Sequence, residues 1–469
     1  MNENIFDKLD FGPLRPLLDN DDITDISYCN GGQIWIRSLS QGSIRVEVPG
    51  CTPEFMEKLA FQCSNVMGTT FNNAKPFLDA ESSELRLNFV HPSIATNGIA
   101  CVIRKTPAKI RLKKEKLLAE DYFTADIHDL LMKCVEGHCN IIVSGETGSG
   151  KTEFVKYLAS HIKETEKIIT IEDTLELHLD KIFPTRDIVA MKTNNVASYS
   201  DVLVTCMRQN PKWILLSEVR SAEAVTAVRN SISSGHNILS TIHADKASAI
   251  PYRLYSLLET DIDVDQFLNT IYRYVQIGVH IKAYYSKKYG KFHREVDEVV
   301  EFYVDEDNKP VCHTLYRKLY DMDPIMSRPS KHLVEYLENQ NLNIDDILAH
   351  LPDVDIEKVI EENESKRFAE ASQKAESETG PSEEKSNALN NALNGGTMEE
   401  KAVAGTENIP ATNINLASEN SSLNSSVNVD AQSAAQVNIP SNAQTSNIQV
   451  PVMPQIDASN VMQNMSNGG

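Results

Sequence analysis

Positive charge is in short supply in this sequence: 45 Lys and Arg stand against 66 Asp and Glu, a formal net charge of −21. That balance excludes a broad electrostatic grip on nucleic acid, which needs Lys and Arg in bulk to displace counterions from phosphates. No direct sequence-specific nucleic-acid binding is expected. The eight cysteines stand singly, with no two paired Cys-x-x-Cys units. Cys134 and Cys139 bracket His138, but the second ligand pair that would close a tetrahedral zinc site is missing. Dispersed thiols suit a reducing compartment better than a disulfide scaffold. No run approaches the ~20 apolar residues of a membrane span, and Met1–Leu18 lacks a basic start followed by an apolar stretch. The expectation is a cytoplasmic protein, peripheral at the membrane through partners. After Phe368 there is no aromatic residue, His or Cys, and Asn, Ser, Ala and Gln dominate Ser386–Gly469. Such a segment buries too little apolar surface to offset its ordering entropy, so 371–469 is expected to be a disordered tail. Short apolar runs in it, such as Ile448–Met453, leave a partner-binding role open.

What the sequence does have is enough chain for two cores: 469 residues, 41% of them hydrophobic. Alternating runs at Ile23–Tyr28 and Gln33–Arg37 flank the turn Asn30-Gly31-Gly32 and read as a hairpin. Helical spacing over Pro53–Met67 and further strands at Glu84–Val90 and Ile99–Arg104 complete a small α+β domain over 1–106. A linker at 107–117 follows. It carries most of the basic stretch Arg104, Lys105, Lys109, Arg111, Lys113, Lys114 and Lys116, either a solvated connector or a patch facing phosphate or membrane.

From 118 to 281 strands alternate with helices. Strands at Asn140–Ser144, Lys167–Ile171, Trp213–Ser217 and Ile238–Thr241 are separated by helices at Thr152–Lys163, Ser198–Met207 and Ala222–Ser233, which implies a parallel sheet covered on both faces. In 282–370 a hairpin over Glu298–Arg317 precedes helices at Ser330–Asn339, Ile344–His350 and Ile356–Ala371. There is no internal repeat.

Gly145-Glu146-Thr147-Gly148-Ser149-Gly150-Lys151-Thr152 fits Gly-x-x-x-x-Gly-Lys-Ser/Thr, directly after a strand and opening a helix. Glycines let successive amides point at a β-phosphate, Lys151 reaches the β- and γ-phosphates of ATP, and the Thr152 hydroxyl can ligate Mg²⁺. The strand Trp213–Ser217 ends in Glu218, which can hold Mg²⁺ through water or orient the attacking water. Glu172, Asp173 and Glu176 lie just past the strand expected to neighbour the P-loop strand. One of them should position and deprotonate water, the alternative being a helix start decorated with acids. His236 and His243 flank the strand Ile238–Thr241, where an imidazole could sense loss of the γ-phosphate or be an ordinary structural His.

In this order the motifs resemble the type II and type IV secretion ATPase family, hexameric motors of secretion, conjugation and pilus assembly. Gly145–Thr152 looks like its Walker A box, Ile171–Glu176 its aspartate box, Met207–Arg220 its Walker B region and Ser234–His243 its histidine box. Leu18–Ile26 and Ile103-Arg104-Lys105 are similar to stretches of its N-terminal domain, so the likeness spans about Leu17–Leu257. The resemblance implies a RecA-like P-loop ATPase domain in which Glu176 is the catalytic base, Glu218 the Walker B acid, and Glu172 and Asp173 supports for Mg²⁺ or water. It implies that Arg86 and Arg104 reach the phosphates when the domains close, and that Arg208 and Arg220 touch phosphate within or across subunits. A homohexamer working on an inner-membrane platform protein is the implied assembly.

Several positions depart from the pattern. Ser217 replaces a usual Gly, Thr174 a common Pro, and Ser83-Glu84-Leu85 precedes Arg86 where an Asp-Gly-Ser turn is usual. The tetracysteine module of the type II branch is absent, which points to conjugation-type secretion or tight-adherence pili. The rival expectations are a RecA-like nucleic-acid motor, such as a helicase, and a scaffold that only binds nucleotide.

Overall fold

The computed structural model describes residues 9–82, 84–194, 196–258, 262–319, 322–363 and 365. The chain divides into units Met1–Leu393 and Asn394–Gly469, and every described residue lies in the first. The expected tail at 371–469, and the end of the helix expected over Ile356–Ala371, fall outside the described residues.

The first sheet comprises β1 (Ile23–Cys29), β2 (Gln33–Ser38), β3 (Gly42–Val46), β4 (Phe77–Glu81), β5 (Leu85–Val90) and β6 (Ala100–Lys105), in the order β3-β2-β1-β6-β5-β4 and wholly antiparallel. Side chains alternate between faces along each strand. One face, including Ile26, Tyr28, Ile34, Leu87, Phe89 and Ile103, buries itself against Met56, Leu59, Ala60 and Cys63 of the Pro53–Val66 helix. Thr52 caps that helix by accepting from the Phe55 amide. On the other face the register aligns Arg37, Asp25, Arg104, Arg86 and Glu81 in one row across five strands.

The second sheet holds β7 (Ile141–Gly145), β8 (Ile168–Glu172), β9 (Ile188–Lys192), β10 (Trp213–Val219), β11 (Asn237–Ile242), β12 (Ile277–Ser286), β13 (Lys291–Val304), β14 (Pro310–Arg317) and β15 (Ile325–Met326). Its order is β15-β14-β13-β12-β7-β11-β10-β8-β9, parallel from β12 to β9 and antiparallel from β12 to β15. Residues of β7 and β8 are buried throughout because both faces are covered. Ile141 and Val143 face the helices Ala125–Glu136 and Lys151–Ser160, while Ile142 packs with the helices Tyr199–Met207, Ala222–Ser233 and Val264–Tyr274.

Two expectations need correction, and one strand had not been expected. β8 does not neighbour β7: β10 and β11 insert between them, as the crossovers of a parallel sheet allow. The boundary expected between 281 and 282 falls inside β12, and the expected hairpin, β13–β14, continues the same sheet. β9 had no counterpart in the sequence reading, because a half-exposed edge strand lacks the apolar run that marks a central one.

Candidate active site

β7 delivers the chain to Gly145 at the carboxyl end of the parallel sheet, and the next loop opens the Lys151–Ser160 helix. At Gly145 φ is +147°, and a Cβ there would lie 2.4 Å from the Ile281 carbonyl of β12 and 2.7 Å from Ser149 Oγ. Only glycine fits. Lys151 Nζ donates to the carbonyls of Gly145 and Glu146, each at 2.9 Å, and lies 3.3 Å from His243 Nδ1. Burial lowers the Lys151 ammonium to about 8, against the pull of Glu218 and Glu176. Ser149 is fully buried and its Oγ has no partner. A buried unpartnered hydroxyl and a buried ammonium in one loop, at a helix N-terminus, fit a polyphosphate.

Thr152 Oγ1 donates to Glu176 Oε2 at 3.1 Å, so the hydroxyl and the acid of the segment after β8 face each other across the cleft. Glu172, fully buried at the end of β8, turns inward instead: its Oε2 accepts from the amides of Glu176 (2.8 Å) and Leu177 (3.0 Å). Burial raises its carboxyl to about 7. Glu218 Oε1 lies 2.8 Å from His243 Nε2. Lys151, His243 and Glu218 therefore form one chain along the floor. Asp173 pairs with Arg220, whose guanidinium also reaches to 4.0 Å of Glu218.

The donors around Thr152, Glu176 and Glu218 are all oxygen, the chemistry Mg²⁺ prefers. Among the described residues no three His, Cys, Asp or Glu converge to hold an ion unaided.

The opposite wall comes from the first sheet and the linker. Arg104 lines the cleft with its Nε 2.9 Å from Asp25 Oδ1. Three further arginines converge that the sequence reading did not assign to the site: Arg37 of β2, Arg111 of the linker and Arg294 of β13. Arg37 presses on the P-loop, since a Cβ at Gly148 would lie 2.5 Å from its Nη1. Arg294 Nη1 donates to the Leu39 carbonyl at 3.0 Å and its Nε to the Gly148 carbonyl at 3.4 Å. Arg111 Nε and Nη2 are buried without an acceptor. Among the described residues none of the three has a carboxylate at ion-pair distance. Burial, with Arg37 and Arg111 nearby, depresses the pKa of Arg294 despite Tyr122 and Asp22. Unbalanced cations packed together in a cleft call for an anion. Arg111 lay in the basic stretch already noted, whereas a single Arg in a strand, as at 37 or 294, carries no local signal.

Not every residue named from the sequence arrives. Gly148, Gly150, Lys151, Thr152, Glu176, Glu218, His243 and Arg104 line one cleft together with Thr147. Glu146 borders a neighbouring cavity with His243 and Asp245. His236 sits before β11 and His243 after it, and six strand residues separate them by about 20 Å. The two cannot face one phosphate, and His236 Nδ1 instead lies 3.0 Å from Ser234 Oγ. Arg208 is exposed after the Tyr199–Met207 helix and precedes β10, at the other end of the sheet from Glu218. Arg86 lies one strand beyond Arg104, opposite Glu81, and does not line the cleft.

The model of the type II/IV secretion system protein family matches residues 77–321, more than half of the chain. The chain belongs to this family. The span shared with the secretion family runs from the start of β4 past the end of β14, so it takes in Arg104, the P-loop, Glu176, Glu218, His243 and Arg294 but not Arg37. The chain is 30% identical over 311 residues to an uncharacterized protein of Bacillus anthracis, covering 65% of this chain and 70% of that protein. It is 27% identical over 255 residues to the type IV secretion system protein VirB11 of Brucella suis, covering 48% and 69%. Among solved structures, it is similar to the VirB11 ATPase from the Brucella suis type IV secretion system in complex with sulphate, at 25% identity and a TM-score of 0.33 over 61% of this chain and 91% of that one. It is also similar to the pilus retraction motor PilT with bound ADP, at 18% identity and a TM-score of 0.44 over 70% and 85%.

Proposed function

We propose that this protein is the ATP-hydrolysing motor of a type IV secretion, conjugation or tight-adherence pilus machine, driven by closure of its first sheet onto the P-loop sheet. The reading rests on one observation: Lys151 and the Thr152–Glu176 pair on one wall face arginines without carboxylate partners on the other.

Lys151 directs its hydrogen bonds to two loop carbonyls. When ATP binds, it exchanges them for β- and γ-phosphate oxygens, while the glycine-rich amides and Ser149 grip the β-phosphate. Arg37, Arg104 and Arg111 reach the same ligand from the first sheet and linker, and Arg294 from β13. Glu176 positions the attacking water and takes its proton. His243 bridges Lys151 and Glu218, so a change at the phosphates is transmitted to the Walker B acid. Thr152, with Glu218 through water, would hold Mg²⁺, which neutralises charge on the β- and γ-phosphates. The hollow beside Ser149 and Gly150, lined by Leu39, Leu112, Tyr122 and Phe292, offers an apolar seat for the base.

A ligand shifts a two-state equilibrium only by binding one state better. ATP bridges the walls through its γ-phosphate and ADP does not, so hydrolysis releases the first sheet. In this reading the motor is a homohexamer at the cytoplasmic face of the membrane, working on an inner-membrane platform protein, with Arg208 available to a neighbouring subunit.

The test is turnover by the purified full chain with Mg²⁺-ATP, alongside its assembled mass. Glu176→Gln should bind ATP with near wild-type affinity and lose at least about a hundredfold in kcat. A wild-type chain without nucleotide affinity would overturn the reading. Strong, salt-sensitive stimulation by single-stranded DNA would favour a nucleic-acid motor instead.

A further inference from the structure

Glu176 sits in the segment 173–178, which lies between β8 and the short helix Leu179–Ile182 and belongs to neither. No sheet ladder fixes it, and only the His178 carbonyl at its end bonds into the helix, so the place of Glu176 depends on individual tethers. Glu172 supplies two from inside, to the amides of Glu176 and Leu177. From the P-loop side Thr152 Oγ1 donates to Glu176 itself, and Arg220 pairs with Asp173. Two further tethers come from the first sheet and the residue just after it, one on each side of Glu176. The Leu175 amide donates to Glu81 Oε1 of β4 at 3.4 Å, and His178 Nε2 lies 3.4 Å from Thr106 Oγ1, just beyond β6.

Glu81 is built for two partners at once. Its Oε1 takes the Leu175 amide and its Oε2 the Lys192 ammonium. β4 is one edge strand of the first sheet and β9 one edge strand of the second, so the carboxylate joins an edge of each. In the parallel register Lys192 stands beside Glu172, the residue that holds the same segment from within. Among the described residues, Glu81 is the one member of the first sheet's strands hydrogen-bonded to 173–178.

We propose that Glu81 is a positioning residue for hydrolysis: it locks the Glu176 segment when the first sheet is seated and frees it when that sheet lifts. Nucleotide binding and water activation are thereby separated. The arginines and P-loop bind the phosphates, while the acid reaches its working position only against a closed β4. The lock makes turnover conditional on closure, and an open protomer with ATP bound is kept from idle hydrolysis.

The inference rests on the ATPase reading above, and wild-type turnover under the same conditions separates the two. The experiment compares kcat, KM and ATP affinity of the full chain carrying Glu81→Ala, Glu81→Gln or Glu81→Asp. Glu81→Ala should lower kcat by about tenfold or more, since a displacement of about 1 Å at a catalytic group has effects of that size. Its ATP affinity should stay within about twofold of wild type. Glu81→Gln keeps an oxygen for the Leu175 amide and should recover most of kcat. Glu81→Asp keeps the charge but withdraws the oxygen by one methylene, so it should fall between Ala and wild type; it also serves if Ala fails to fold. Wild-type kcat in Ala or Asp, equal damage in Ala and Gln, or a loss confined to ATP affinity overturns the inference. A wild type without turnover overturns the ATPase reading with it.

Discussion

At the scale of the residue, the cleft is a problem of unmatched charge. Arg37, Arg111 and Arg294 stand near one another, none with a carboxylate at ion-pair distance among the described residues, and Lys151 is buried on loop carbonyls. A hydrogen bond to a charged group contributes about 1.5–3 kcal/mol, so Arg294→Ala should weaken ATP binding by roughly tenfold or more. A fluorescent-nucleotide titration measures it. Arg208→Ala, outside the cleft of its own chain, should leave the affinity of an isolated protomer unchanged in the same titration. Lys151→Ala should abolish turnover in a coupled ATPase assay. The contiguous residues of this site were legible in the sequence, because the loop must present its amides and ammonium within eight positions. Arg37 and Arg294 were not, because strand pairing brings them from more than a hundred residues away on either side of the loop. His236 and His243 looked equivalent locally, and only the direction of β11 separates them.

At the scale of the element, the P-loop is as much a neighbour of β12 as a product of its own glycines. The Ile281 carbonyl leaves no room for a Cβ at Gly145. Gly145→Ala should push the loop off β12, destabilise the protein by about 1–3 kcal/mol and remove ATP affinity. Denaturant melts and a binding titration would check both. Most central strands and long helices could be read from periodicity, and the caps at Ser198 and Ser221 start their helices where the pattern begins. β12 was misjudged because a strand shared between a parallel and an antiparallel pairing has no punctuation in mid-course. On β13, Glu301 is buried with one oxygen on the Ser330 amide and the other unpartnered. Burial raises its carboxyl from 4.5 to about 7. A raised acid favours the folded state in its protonated form, so its contribution is full below about pH 4.5 and lost as pH rises through 7. Between pH 5 and 8 the denaturation midpoint should fall, and Glu301→Gln should flatten that fall by roughly 1–3 kcal/mol.

At the scale of the whole molecule, the proposed reading makes nucleotide a shared component of two sheets. A ligand that binds only the folded state stabilises it by about 2.7 kcal/mol at a hundred times its Kd. Mg²⁺-ATP added to Glu176→Gln should therefore raise the melting of both sheets together in a calorimetric scan, whereas ADP should act mainly on the P-loop sheet. Two transitions that both ignore ATP would count against domain closure.

The cleft gathers its lining from Thr24 at one extreme to Arg294 at the other. A truncated product that ends anywhere before Arg294 can still display a perfect Walker octapeptide, yet it would lack a guanidinium that meets the Gly148 carbonyl. Pieces that stop short of Arg294 should therefore hold ATP more weakly than the full chain, however intact their octapeptide.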